Sequence, residues 1–319
     1  MPIPLIIDTD PGVDDAVALL LALASPEVEV RAVTTVFGNV PLPMTTANAA
    51  RVLALAGRGD VPLAAGADRP LVHPQPERAE GWHGADGLGG LAAGLPEPTA
   101  DPDPRGAVGL MADVLRAAPE PVTIVPIGPL TNIALLLALH PGLTGRIDRI
   151  VAMGGSLGAG NTTGAAEFNV FSDPEAAHRV FTQAEVPVTL VPLDLTMRCL
   201  TDSRWLAELA AGGPRCAQLA AVIGHYHNAF RTRYGLDAVA LHDALAVLEA
   251  VVPGTLRTTG FPLRVACDLG PARGVTVADR RRAAPGPQVN VALDADIPAV
   301  LGEVLKRLVT PPCECVTVF

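Results

Sequence analysis

A chain of 319 residues with 49% hydrophobic content has enough apolar side chain to bury one large α/β core or two smaller ones, which excludes a disordered polypeptide. Its formal charge of −10, with no basic run beyond Arg280 to Arg282, argues against a nucleic-acid surface. The longest apolar run, Ala16 to Ala24, falls far short of the roughly 20 residues that span a bilayer, so small molecules or a metal are the expected partners.

The N-terminal Met1-Pro2-Ile3-Pro4-Leu5 lacks a basic segment and does not read as a secretory signal. The cysteines at 199, 216, 267, 313 and 315 are odd in number and form no disulfide framework. Both features indicate a cytoplasmic protein. Cys313 and Cys315 make a lone C-x-C, which is weak as a metal motif.

In chain order, a strand from Leu5 to Asp8 leads into a helix from Val13 to Ala24. A strand from Val28 to Phe37 precedes a helix near Thr45 to Ala56, and Val122 to Ile127 leads into Leu130 to Leu139. Arg149 to Met153 precedes a helix starting near Pro174, and Val188 to Leu193 precedes Ser203 to Ala211. This alternation predicts a single doubly wound α/β domain over residues 1–319, with a mainly parallel central sheet flanked by helices. Ligands of such sheets gather at the carboxyl ends of the strands. The Pro/Gly-rich stretches 58–106 and 270–287 read as loops or small excursions, and 226–234 as a helix-loop.

The first strand runs directly into Asp8, Asp10, Asp14 and Asp15, with Pro11-Gly12 turning the chain between them. One or two acids are explained as helix caps at a positive macrodipole end. Four beside a buried apolar strand repel one another unless a cation or hydrogen bonds compensate them. With no His or Cys in the segment, the oxygen-only set points to Ca²⁺ or Mg²⁺ and away from Zn²⁺.

The segment Asp8-Thr9-Asp10-Pro11-Gly12-Val13-Asp14-Asp15 resembles the N-terminal signature of the inosine-uridine nucleoside hydrolase family. Further segments match in order: Phe37-Gly38-Asn39, His83 to Gly89, Ile127 to Ile133, Met153-Gly154-Gly155, Asn161 followed by Ala166 to Asn169, Ser172 to Ala176, and His242-Asp243. The resemblance covers residues 5 to about 250. It implies the nucleoside hydrolase fold and hydrolysis of the N-glycosidic bond of ribonucleosides, purine or pyrimidine, to free base and ribose. It also implies one Ca²⁺ held by Asp10, Asp15, the backbone carbonyl of Ile127 and Asp243. Relatives with Thr at the Ile127 position differ in side chain only, and a carbonyl does the ligating. Alone, Asp243 reads more readily as a helix N-cap than as a metal ligand, and Ala244 stands where many relatives have proline.

By the same resemblance, Asp14, Asn161, Glu167 and Asn169 hold the ribose hydroxyls, with Asn39 and Met153 completing the sugar pocket. Asp10 is the implied general base, taking a proton from a Ca²⁺-bound water, with an oxocarbenium-like transition state. A heterocyclic nitrogen leaves poorly as an anion and needs protonation or strong hydrogen bonding. His242 is the candidate for that role, its unperturbed pKa near 6.5 suiting proton donation near neutrality; His83 lines the opposite wall. Tyr226, Phe230, Arg233 and Tyr234 fall where relatives carry a mobile segment over the base. Relatives form dimers or tetramers, so a homo-oligomer is implied.

Asp8-Thr9-Asp10 also fits the Asp-x-Asp of a haloacid-dehalogenase-like phosphatase. That reading expects a small hydroxylic residue where Gly12 stands and a phosphate-neutralising lysine, yet Lys306 is the sole lysine. The remaining alternative is a non-catalytic Ca²⁺-dependent nucleoside or sugar binding protein, against which the presence of both Asp10 and His242 counts.

Overall fold

The computed structural model describes residues 1–74 and 78–310, so the Cys313/Cys315 pair lies outside the described residues. In chain order the strands are β1 (Ile3–Thr9), β2 (Val28–Thr35), β3 (Leu63–Ala65), β4 (Val122–Pro126), β5 (Ile147–Met153), β6 (Val188–Val191), β7 (Leu200–Thr201), β8 (Val239–Ala240), β9 (Leu256–Val265), β10 (Thr276–Ala278) and β11 (Gln288–Ala295). The helices are α1 (Val13–Leu23), α2 (Leu42–Leu55), α3 (Glu80–His83), α4 (Gly106–Ala117), α5 (Thr131–Leu139), α6 (Phe168–Ser172), α7 (Pro174–Gln183), α8 (Leu193–Thr196), α9 (Ser203–Ala210), α10 (Pro214–Tyr234), α11 (His242–Val251) and α12 (Ile297–Val309).

One nine-stranded sheet runs in the order β10-β9-β11-β6-β5-β4-β1-β2-β3. From β11 to β3 all neighbours are parallel, and only β9 pairs antiparallel, with β11 and with β10. The doubly wound α/β expectation holds. Strands β4 and β6 are buried at every position, as continuous apolar strands covered on both faces must be. Successive side chains of β1 feed different layers. Leu5 and Ile7 join the core built with α1, α10 and α11, while Ile6 joins the one built with α4, α5 and α7. Helix α11 is buried all round and packs on α1 and β5, which suits a sequence with hardly a polar face.

The stretches expected to be loops contain β3 and α3 in one case and β10 in the other. These elements are three or four residues long, too short for any periodicity to announce them. Residues 226–234 form the end of the continuous helix α10, which stops at Gly235 in the left-handed conformation, φ +68. Helix α11 begins at His242 without proline at 244, and Asp243 lies in its first turn with Leu241 at the cap. Among the described residues no helix is long and apolar enough to cross a membrane.

Strands β2 and β4 flank β1 on opposite sides, so the direction of winding reverses at β1. The carboxyl ends of β1 and β4 open the crevice that such a reversal creates. The Asp10–Asp15 turn, Gly38-Asn39 and the Ile127–Asn132 turn all follow strands that end there.

Candidate active site

Asp8, one residue before the end of β1, is fully buried and accepts hydrogen bonds from Thr34 Oγ1 at 2.6 Å and Asn132 Nδ2 at 2.8 Å. Asn132 also donates to the Thr35 carbonyl and accepts from Ala67 N–H, tying the ends of β1, β2 and β3 together. Asp15 stands at the third position of α1 and takes the Gly12 N–H at 2.8 Å, which stabilises the helix start. It accepts as well from Thr9 Oγ1 and Asn39 Nδ2. Asp10 Oδ2 takes the Asn39 N–H at 2.7 Å, but its buried Oδ1 has no hydrogen-bond partner. A Cβ at Gly38 would stand 1.9 Å from Asp10 Oδ2, and one at Gly128 would stand 2.5 Å from Oδ1. Only glycine leaves room for that carboxylate.

Burial pushes Asp10, Asp14 and Asp243 well above the usual carboxylate range, and charge repulsion adds to it: from Asp15 on the first two, and from Asp14 on Asp243. Burial raises Asp15 too, against the bonds from Thr9 and Gly12, and takes Asp8 up to about 7 against those from Thr34 and Asn132. Oxygens of Asp14, Asp15 and Asp243 lie within 4.8 Å of one another. Among the described residues no Lys or Arg ion-pairs with any of these acids. The all-oxygen character of this cluster fits a hard divalent ion, whose charge would offset the acids. Asp10 stands beside this trio with its free Oδ1. The Ile127 carbonyl, expected as a metal ligand, accepts from Asn169 Nδ2 at 2.9 Å and keeps a second lone pair.

An open-mouthed cavity of about 110 Å³ rises above the cluster. Asp14, Asn39, His83, Ile127, Met153, Asn161, Glu167, Asn169, His242 and Asp243 all line it. Asp10 and Asp15 stand one layer behind. Glu167 caps α6, its Oε1 taking Asn169 N–H and its Oε2 taking Val170 and Gly155 N–H. Three backbone donors thus fix the carboxylate, and burial still raises its pKa. Asn161 sits at the exposed rim, its Oδ1 taking Phe168 N–H at 3.0 Å.

His242 Nδ1 lies 2.7 Å from Thr196 Oγ1, and burial lowers its pKa to about 4. Burial thus overrides the near-neutral value of its type and holds the imidazole uncharged at neutral pH. His83 Nδ1 accepts Val13 N–H at 3.1 Å, which places its own proton on Nε2, and burial takes it to about 3. Its ring lies 5.0 Å from that of Tyr226.

On the opposite wall, the sequence reading named Tyr226, Phe230, Arg233 and Tyr234 but missed Trp82. Tyr226, Phe230 and Tyr234 recur every fourth residue along α10 and turn one stripe toward Trp82 of α3. The Arg233 guanidinium carbon sits 3.8 Å from the Trp82 ring centre. Arg78, Ala79, Met197, Phe168 and Thr162 complete the lining. The four-residue spacing was the available signal; Trp82, beside His83, carried none. His227 faces away and pairs with Asp237 at 2.9 Å.

The family model described as inosine-uridine preferring nucleoside hydrolase matches residues 5–302. The pyrimidine-specific ribonucleoside hydrolase RihA of Photobacterium profundum is 42% identical over 296 residues, 92% of this chain and 94% of its own. Among solved structures, a plant nucleoside hydrolase, the PpNRh1 enzyme, has a TM-score of 0.91 at 33% identity, over 98% of this chain and 100% of its own. A purine-preferring ribonucleoside hydrolase from Gardnerella vaginalis has a TM-score of 0.89 at 32% identity, over 96% of this chain and 98% of its own.

Proposed function

Since the chain belongs to the inosine-uridine preferring nucleoside hydrolase family and is a ribonucleoside hydrolase, we propose that it acts on pyrimidine ribonucleosides, with Ca²⁺ as its metal and Asp10 as its general base. The observation that carries the mechanism is the buried, unpartnered Oδ1 of Asp10 beside a cluster of buried acids that could hold a cation. Asp10, Asp15, Asp243 and the Ile127 carbonyl would hold the ion, with Asp14 on the substrate side. Bound there, Ca²⁺ would supply positive charge that offsets the acids, engages ribose hydroxyls and makes water more acidic.

Asp10 accepts a proton from the attacking water as its oxygen bonds to C1′. The C1′–N bond breaks ahead of that attack, and the acids beside the ring stabilise the ribosyl cation. Glu167, Asn169, Asn161 and Asp14 hold the ribose hydroxyls, with Asn39 and Met153 closing the sugar pocket. Glu167 is pre-aimed by its three backbone donors. His242, uncharged at neutral pH, supports the departing base by hydrogen bond, and His83 borders the same space. Pyrimidine preference is supported by the RihA relative at 42% identity, whose name specifies it. Residues 1–319 act as one catalytic unit, in the cytoplasm, as a homo-oligomer.

The test is to incubate the protein with uridine, cytidine and inosine and to assay free base and ribose, before and after chelation. Uridine and cytidine should be cleaved with higher kcat/KM than inosine. Chelation should abolish turnover, and Ca²⁺ should restore it better than Mg²⁺. Inosine as the better substrate overturns the base preference, and full activity in metal-free protein overturns the metal assignment.

A further inference from the structure

The loop that carries Glu167 and Asn169 is braced from behind by a segment that lines none of the cavity. After β9, residues 266–276 turn back toward it. Val275 forms an antiparallel bridge with Ala166, the residue just before Glu167. Gly274, at φ +79, approaches Phe171 so closely that a Cβ would come 2.8 Å from the Phe171 Cα. Thr276 abuts Gly155, whose N–H binds Glu167. The segment thus presses on both flanks of the Glu167–Asn169 pair.

One side chain ties this segment to the helix that follows the pair. Arg273 donates from Nη1 and Nη2 to Oε1 and Oε2 of Glu175, each at 2.8 Å, with side chains only 11% and 19% exposed. Arg273 also donates to the Cys267 carbonyl, closing its own turn. Glu175 belongs to the first turn of α7, directly after α6. A two-pronged guanidinium–carboxylate pair shielded from water fixes distance and angle together, which a single ammonium contact does not.

We infer that Arg273 is a positioning residue for ribose recognition: gripping Glu175, it holds residues 274–276 against Ala166, Phe171 and Gly155 and so keeps Glu167 and Asn169 aimed into the cavity. This rests on the reading of Glu167 and Asn169 as ribose-binding groups. A role in stability alone would leave sugar discrimination untouched. The molecule contains its own control, since Arg307 grips Glu27 by the same two-pronged geometry, between α12 and the residue before β2, and lines none of the cavity.

The experiment measures kcat/KM for uridine and 2′-deoxyuridine, together with Tm, in wild type, Arg273→Met, Arg273→Lys and Arg307→Met. Arg273→Met should cut kcat/KM for uridine by about 10- to 100-fold, the scale of small misplacements of binding groups, with a smaller fall for 2′-deoxyuridine, which offers the pair one hydroxyl fewer. The ribose-to-deoxyribose ratio therefore falls. Arg273→Lys, which keeps the charge without the fork, should fall between and guards against a Met variant that does not fold. Arg307→Met should lower Tm and keep the ratio. An unchanged ratio in the Arg273 variants, or an equal fall in Arg307→Met, overturns the inference. Wild type that fails to distinguish uridine from 2′-deoxyuridine overturns the sugar-site reading itself.

Discussion

At the carboxyl ends of β1, β2 and β4, Asp8 and Asp15 are each fixed by two or more directed hydrogen bonds, whereas across the cavity Trp82, Tyr226, Phe230 and Tyr234 meet through ring contacts. The floor gathers buried carboxyl groups close to one another. The wall gathers apolar area, with Tyr234 nearly half exposed at its outer end. Directed bonds between buried polar groups admit one arrangement, because a displaced partner leaves an unmet donor or acceptor. Ring packing admits several of similar energy. The floor therefore suits the invariant part of a nucleoside, its ribose, and the wall suits the part that varies, its base.

The comparison breaks most sharply at Asp10. Asp10→Asn keeps an oxygen beside Gly38 and Gly128 but cannot take a proton, so turnover should fall on the order of 10²- to 10⁴-fold. The folded structure should persist, because the lost group makes only one hydrogen bond, from Asn39. Single-turnover rates check this, and near-wild-type turnover would remove Asp10 from the base role.

A smaller effect is expected at His242, which stands where floor and wall meet. Since nitrophenolate leaves without protonation, His242→Ala should slow uridine cleavage by about 10²-fold while scarcely touching p-nitrophenyl riboside. Equal losses on both substrates would mean that the substitution damages the floor through neighbouring Asp243, and His242 would then have no part in base departure.

The same contrast explains what could be read in the sequence. Asp8 to Asp15, Gly38-Asn39 and His242-Asp243 serve directed contacts at fixed spacings, so their pattern survives in one dimension, and the structure does bring them to one crevice. The mainly parallel sheet was legible too, from buried runs such as Val122–Pro126. The wall was legible only in its α10 residues, because a ring needs only to fill space: Trp82 sits on a four-residue helix inside a Pro/Gly-rich stretch and went unread. The β9–β11 pairing was not legible, because most of the outward positions of Arg257 to Phe261 are exposed and their apolar pattern is faint. The bracing by Arg273 links residues 98 apart in sequence and leaves no local trace.

If the wall acts by packing, its substitutions should shift binding and spare chemistry. Tyr234→Ala removes the ring stacked on Trp82 at 5.8 Å, and KM for uridine should rise by about 2- to 10-fold, the worth of one aromatic pair. With kcat held near wild type, the division between wall and floor stands. A fall in kcat as large as that of His242→Ala would show that the wall also positions reacting atoms.

The smallest expected effect concerns His83, which joins the two regions. Its Nδ1 accepts from Val13 at the start of α1, and its ring lies against Tyr226. Burial lowers its pKa from the usual 6.5 to about 3, so the folded protein holds it neutral while the unfolded chain begins to bind a proton near pH 6.5. Its contribution to stability is therefore complete above that pH and is lost as pH falls toward 3. A cation bound at the acid cluster would push the same way, so the sign holds with or without metal. By about pH 6 the loss relative to neutral pH should be somewhat under about 1 kcal/mol, roughly 1 to 2 °C in Tm for a chain of this size. His83→Gln does not titrate, so its Tm should fall less than that of wild type between about pH 7.5 and about pH 6, the window around the unfolded-chain pKa. Parallel Tm curves for the two proteins would mean that His83 is protonated in the fold, and that the Val13 contact does not hold Nδ1 as an acceptor.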